Sequence, residues 1–194
     1  SPSFSCAFRF YTLEPMSKKE AFLKKDLLES MIRVNHAGEY GAIRIYQGQR
    51  AILGNSTIGP TLQHMEQQER EHFKLFDDVM KKRRVRPTLL QPLWHVAGFA
   101  LGAGSAFLGK RAAMACTAAV ESVIDTHYQQ QLKVLQNYPE ESAFHEIVNR
   151  CHKEELEHRD QAFTHGAAHM PAYGPFSHMV KAASCLAIFL SKRL

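Results

Sequence analysis

Two Glu-x-x-His pairs are the residues of this chain best suited to chemistry: Glu69-Arg70-Glu71-His72 and Glu155-Leu156-Glu157-His158. Positions three apart share a helix face, so each pair sets a carboxylate beside an imidazole. A further glutamate lies upstream of each: Glu39, 30 residues before Glu69, and Glu121, 34 residues before Glu155. Carboxylates are hard anionic donors and imidazole is a borderline nitrogen donor, a combination that suits Fe or Mn better than Zn or Cu. Four glutamates balance two divalent ions; two of them can bridge, and each histidine completes one shell. Without cations, four glutamates in an apolar core would be very costly. One glutamate from each of two helices, plus Glu-x-x-His from each of two more, is the ligand arrangement of carboxylate-bridged di-iron bundles. The competing reading, solvated helix faces, accounts for one such pair in a chain with 11 histidines. It does not account for two with matched upstream partners.

Helical periodicity dominates the chain and no strand pattern stands out. Turn signals at Gly54–Pro60, Pro87, Pro92, Asn137–Glu140, Pro171 and Pro175 divide it. Helices are predicted over about 24–53, 59–83, 93–108, 111–136, 141–165 and 176–192, with Gly109 a break or a kink. Residues equidistant from the turn of an antiparallel hairpin stand at one height. The midpoint of Glu39 and Glu69 is residue 54, a glycine in a turn, and that of Glu121 and Glu155 is residue 138, in the next turn. The expected fold is therefore all-α: a ferritin-like four-helix bundle of two hairpins, with six ligands at one level and additional apolar helical segments.

At 194 residues the chain is read as one domain over 24–194, preceded by a stub over 1–23. Arg9, several serines and no acid before Glu14 give the stub the composition of a mitochondrial transit-peptide remnant. The net charge of +5 admits an acidic partner. The one basic run, Lys81–Arg86, reads first as cations at a helix C-terminus, second as an anionic-membrane contact, and nucleic acid is not expected. Cys6, Cys116, Cys151 and Cys185 are scattered, without a disulfide or zinc pattern.

The acids around the motifs sort by spacing. Glu71, Glu154 and Glu157 lack the ligand spacing on both hairpins and are expected around the site or at the surface. Glu66, three before Glu69, could approach it. His36, three before Glu39, could be a seventh ligand, but a hydrogen bond from just outside the ligand set to a carboxylate is preferred. Tyr128, seven after Glu121 and beside His127, lies near the ligand face; it could hydrogen-bond a ligand or relay an electron, and an ordinary core tyrosine is an equal alternative.

Arg33-Val34-Asn35-His36-Ala37-Gly38-Glu39-Tyr40-Gly41-Ala42, Arg86-Pro87-Thr88, Pro92-Leu93-Trp94, Gly98–Gly102 and Glu154–His158 together resemble the Coq7 (CLK-1) family of 5-demethoxyubiquinone hydroxylases, over about 26–194. The resemblance implies iron ligands at Glu39, Glu69, His72, Glu121, Glu155 and His158, the six residues selected by spacing. It implies a di-iron monooxygenase that uses O2 to hydroxylate the ring of demethoxyubiquinol, with NADH as electron source. It also implies a mitochondrial inner-membrane, matrix-side, peripheral location and a lipid-binding partner protein that presents the polyprenyl quinol. The alternatives are a ferritin-like ferroxidase or peroxidase, and a non-catalytic quinone-binding partner.

Between Arg86 and Lys110 lie 23 residues without Asp, Glu, Lys or Arg. Three readings compete: a buried core helix, a spanning helix, and an interfacial element dipping into one leaflet. The last is preferred, because a polyprenyl quinol must come from a membrane. Gly98, Gly102 and Ala106 recur every four residues, a spacing that favours close helix packing. The last helix is a second candidate membrane face. An apolar surface of this kind could equally join subunits or receive the partner protein.

Overall fold

The computed structural model describes residues 17–194, and among these the secondary structure is helical throughout. Six α-helices follow in order: α1 Lys18–Leu53, α2 Gly59–Arg83, α3 Gln91–Phe107, α4 Lys110–Leu135, α5 Ser142–Thr164 and α6 Tyr173–Ser191. α1 begins six residues before the predicted start. Ser17 and Glu20 form a reciprocal capping box, which satisfies two of the donors left over at a helix N-terminus. Residues 18–23 thus belong to the first helix rather than to a stub, and the transit-peptide composition of residues 1–13 lies outside the described residues. α2 ends where Arg84 turns left-handed (φ 56°), with Lys81, Lys82 and Arg83 in its last turn, where cations suit the helix dipole.

The hairpins α1–α2 and α4–α5 pack into the expected four-helix bundle, and α3 and α6 cover its α1–α4 side. α3 lies along α1 at very close range. A Cβ built on Gly102 would stand 1.9 Å from the Ile45 carbonyl oxygen, and one on Gly48 would stand 2.3 Å from that of Phe99. Gly102→Ala should therefore cost about 1–3 kcal/mol by forcing α3 off α1. Gly104 faces open space, and Gly104→Ala should stabilise by up to about 1 kcal/mol through helix propensity. Urea unfolding midpoints moving in opposite directions would confirm this packing.

The Trp94 indole donates to Ser191 Oγ (3.0 Å), tying the start of α3 to the end of α6. Beyond that contact both helices turn apolar side chains outward. Leu93, Val96 and Phe107 of α3, and Met179, Leu186 and Phe189 of α6, are at least half exposed, Phe107 by 82%. No helix among the described residues is long and apolar enough to cross a membrane. Of the three readings of the apolar stretch, the spanning helix is overturned: Pro92 in the first turn and Gly109 just past the end bound α3 at 17 residues, and Gly98 and Gly102 press one of its faces onto α1.

The bundle interior is apolar at two levels. Ile32, Phe76, Tyr128, Phe144 and Val148 pack at one. Tyr46, Leu62, Met65, Met114 and Ala118 pack at the other. The titratable residues singled out by spacing lie between them.

Candidate metal centre

All six predicted ligands converge in the bundle interior, and all are buried. Glu39, Glu69, His72 and Glu155 offer ligand atoms within 4.8 Å of one another, and so do Glu69, Glu121, Glu155 and His158. Glu69 and Glu155 are common to both groups. These two glutamates could therefore be shared by two ions, with Glu39 and His72 available to one and Glu121 and His158 to the other. His72 Nδ1 lies 3.0 Å from Glu155 Oε1 and 3.4 Å from Glu39 Oε2. His158 Nδ1 lies 3.0 Å from Glu69 Oε1 and 3.2 Å from Glu155 Oε2.

The donor set fits a metal pair. His72 Nε2 donates to Glu154 Oε2 (2.8 Å), and His158 Nε2 donates to Gln68 Oε1 (3.0 Å). Each outer ring nitrogen is thus held by an acceptor, and Nδ1 faces the carboxylates, the orientation of a ligating imidazole. Both oxygens of Glu69, Oε2 of Glu155 and Nδ1 of His158 have no hydrogen-bond partner among the described residues. Orphaned buried groups of this kind are costly, and cations between them would satisfy all four. Protons are the other means of compensation. Burial depresses both histidines, but the carboxylates around them outweigh it, raising His72 far above its ordinary value and His158 to about 11. Burial and the charges of Glu155 and Glu69 push Glu121 up likewise.

Tyr128 donates to Glu39 Oε1, as its spacing suggested. Its counterpart went unnoticed in the sequence: Tyr46 donates to Glu121 Oε1 (2.9 Å). The signal was present, since Tyr46 follows Glu39 by seven residues as Tyr128 follows Glu121. Each tyrosine crosses to the glutamate of the other hairpin, so the spacing had to be read across helices rather than along one. Glu154 also proves to be next to the site, through His72, while Glu71 and Glu157 are exposed.

Two expectations are corrected. His36 does not reach a cluster carboxylate; its Nε2 lies 3.5 Å from Asp77 and its ring packs on Phe73. A position three before Glu39 is rotated away from the bundle axis toward the flank of α2. Glu66 is buried, but it turns away from the cluster and accepts from Arg50 (2.6 Å) and Arg70 (2.7 Å).

A cavity of about 260 Å³ lies between α1, α3, α4 and α6, lined almost wholly by apolar atoms. Ala37, Gly38, Gly41 and Ala42 form its α1 wall, and their small size makes the room. Val34, Gly38, Ala42, Ile124 and Ile188 also line a smaller hollow that reaches Glu39, Glu69, Glu121 and Glu155. His127 lines that hollow too; its Nε2 meets Gln131 (2.7 Å), and burial lowers it to about 4, so the ring is neutral.

Fold and site define a class: helical bundles built around a buried carboxylate–histidine cluster able to hold two metal ions. The comparisons narrow it. The profile of the family described as ubiquinone biosynthesis protein COQ7 matches residues 26–191. The chain is 47% identical over 174 residues to the NADPH-dependent 3-demethoxyubiquinone 3-hydroxylase, mitochondrial, of Homo sapiens, covering 89% of this chain and 80% of that protein. It is 49% identical over 170 residues to the 3-demethoxyubiquinol 3-hydroxylase of Rhodospirillum rubrum, covering 87% and 79%. It is 38% identical over 182 residues to the 5-demethoxyubiquinone hydroxylase, mitochondrial, of Saccharomyces cerevisiae, covering 86% and 78%. The chain belongs to the COQ7 family. The name of the human relative specifies NADPH, where the resemblance had implied NADH.

Proposed function

We propose that this chain is a demethoxyubiquinone hydroxylase, a monooxygenase that adds a ring hydroxyl to demethoxyubiquinol in ubiquinone biosynthesis. The observation that supports the reading is the apolar cavity whose walls continue to the carboxylate–histidine cluster, a route by which an apolar ring would reach bound metal. Glu39, Glu69, His72, Glu121, Glu155 and His158 would hold two iron ions, which when bound supply reductive activation of O2. The protein's own part is placement. Tyr128 and Tyr46 hold Glu39 and Glu121 in position, and Glu154 and Gln68 orient the two imidazoles. Val34, Ile124 and Ile188 keep water from the ring, and the cavity between α3 and α6 takes the first part of the polyprenyl tail.

NADPH, from the relatives' names, is the proposed electron source. The exposed apolar faces of α3 and α6 support peripheral attachment to the mitochondrial inner membrane on the matrix side. They are also where a lipid-binding partner protein or a second copy of the chain would dock.

The test is anaerobic loading with Fe(II), followed by O2 and a short-chain demethoxyquinol, with products read by mass. A product heavier by one oxygen supports the proposal. Iron oxidation without product would favour a ferroxidase, and tight quinone binding without iron a non-catalytic binding protein. Ala187, on the α6 wall of the cavity, offers a second check. Ala187→Trp should fill the space and raise KM for the quinol by about tenfold or more, with iron content unchanged by metal analysis.

A further inference from the structure

The side chains that bond the cluster from the opposite hairpin match in type on the two sides, with one exception. Glu39 and Glu121 correspond, and so do Tyr46 and Tyr128, Glu69 and Glu155, and His72 and His158. The tyrosines cross symmetrically. The residue preceding each Glu-x-x-His also crosses, and accepts the outer N–H of the opposite hairpin's histidine. On one side that residue is Glu154, on the other Gln68. Glu154 Oε1 is itself held by Arg150 Nε (3.0 Å). One histidine therefore rests on an anchored carboxylate, and the other on a neutral amide.

We infer that the two metal positions are unequal, and that the one served by Glu39 and His72 binds a divalent ion the more tightly because Glu154 backs its histidine. A carboxylate accepting from Nε2–H draws that proton outward and makes Nδ1 the stronger donor; an amide oxygen does so less. It also adds a negative charge near one position only, partly offset by Arg150. The ligand types and their tyrosine partners are the same on the two sides, so Glu154 against Gln68 sets the order of filling. Glu154 and Gln68 are positioning residues, acting through the histidines. The inference rests on the cluster's being a metal centre.

The experiment is anaerobic calorimetric titration of the metal-free full chain with Fe(II), and with Co(II) as a spectroscopic probe. Two resolved steps are expected, separated by about 10- to 100-fold in Kd. Glu154→Gln should weaken the tight step by about that factor and merge it with the second. Gln68→Glu should tighten the weak step. The exchange Glu154→Gln with Gln68→Glu should restore two steps in reversed order. The order is read by removing one histidine at a time: His72→Ala loses the tight step in the wild-type background and the weak step in the exchanged one. These substitutions are close in size, and helicity by circular dichroism verifies the fold. Equal steps in the wild type, or steps unmoved by Glu154→Gln and Gln68→Glu, would overturn the inference while leaving the metal centre intact. Absence of any binding by the folded wild type would overturn the metal centre itself, and the inference with it.

Discussion

Glu155→Ala should bind less than one iron per chain and hydroxylate on the order of 10³-fold more slowly, or not at all. The reason is geometric. Glu155 belongs to both four-residue groups, with Oε1 toward His72 and Oε2 toward His158. Its loss removes a ligand from both positions and leaves three acids to balance two ions. A metal centre's charge stabilisation is worth several kcal/mol, and each 1.36 kcal/mol is tenfold in rate. Glu39→Ala is the informative contrast, because Glu39 belongs to one group only. It should keep close to one iron per chain while losing turnover. Metal analysis of the two purified variants, with circular dichroism to verify the bundle, decides the matter. Equal iron content in both would show that Glu155 does not bridge.

Removing the metal should lower the melting temperature by about 8–16 °C. Free metal at about a thousandfold above Kd stabilises by about 4 kcal/mol, and each kcal/mol moves the midpoint of a chain this long by about 2–4 °C. The pH dependence should change as well. In the metal-free protein, His158 is held up at about 11 against its ordinary 6.5. Its protonation favours the fold fully below about 6.5, and that contribution is lost as pH rises toward 11. Glu121, also raised, acts in the same sense above its ordinary 4.5. Metal-free protein should therefore melt progressively lower as pH climbs from 6 to 10, and metal-loaded protein should show a flatter profile. Thermal scans with and without a chelator at several pH values measure both effects. A metal-free protein whose melting temperature rises over that range would contradict the charge arrangement derived for the cluster.

Much of this protein is determined by its sequence alone, because helices are local objects. The 3.6-residue period, the proline and glycine stops and the i, i+3 rule specify each helix and the face on which Glu69 meets His72 or Glu155 meets His158. The turn midpoints add the level at which the hairpins bring Glu39 and Glu121 to those pairs. The six candidate ligands were legible for that reason, as was a close helix contact through Gly98 and Gly102, though not that its partner is α1. What the sequence leaves open is rotation and crossing. Spacing names four glutamates but not which two could be shared; that depends on how far α2 and α5 turn toward each other, and the two common to both groups are Glu69 and Glu155. His36 has the same three-residue offset from Glu39 as Glu69 has from His72, yet it ends against Phe73 and Asp77, because the rotation of α1 that turns Glu39 inward leaves position 36 on the flank facing α2. The spacing of Tyr46 marks it as a counterpart of Tyr128 but does not name its partner, and Gln68 carries no signal, because both partners are on the opposite hairpin, 75 and 90 residues away. The path from the apolar α3–α6 side to the cluster likewise exists only once α3 is laid along α1 and α6 along α4. Local periodicity specifies which residues share a face; only the packed bundle decides which faces meet.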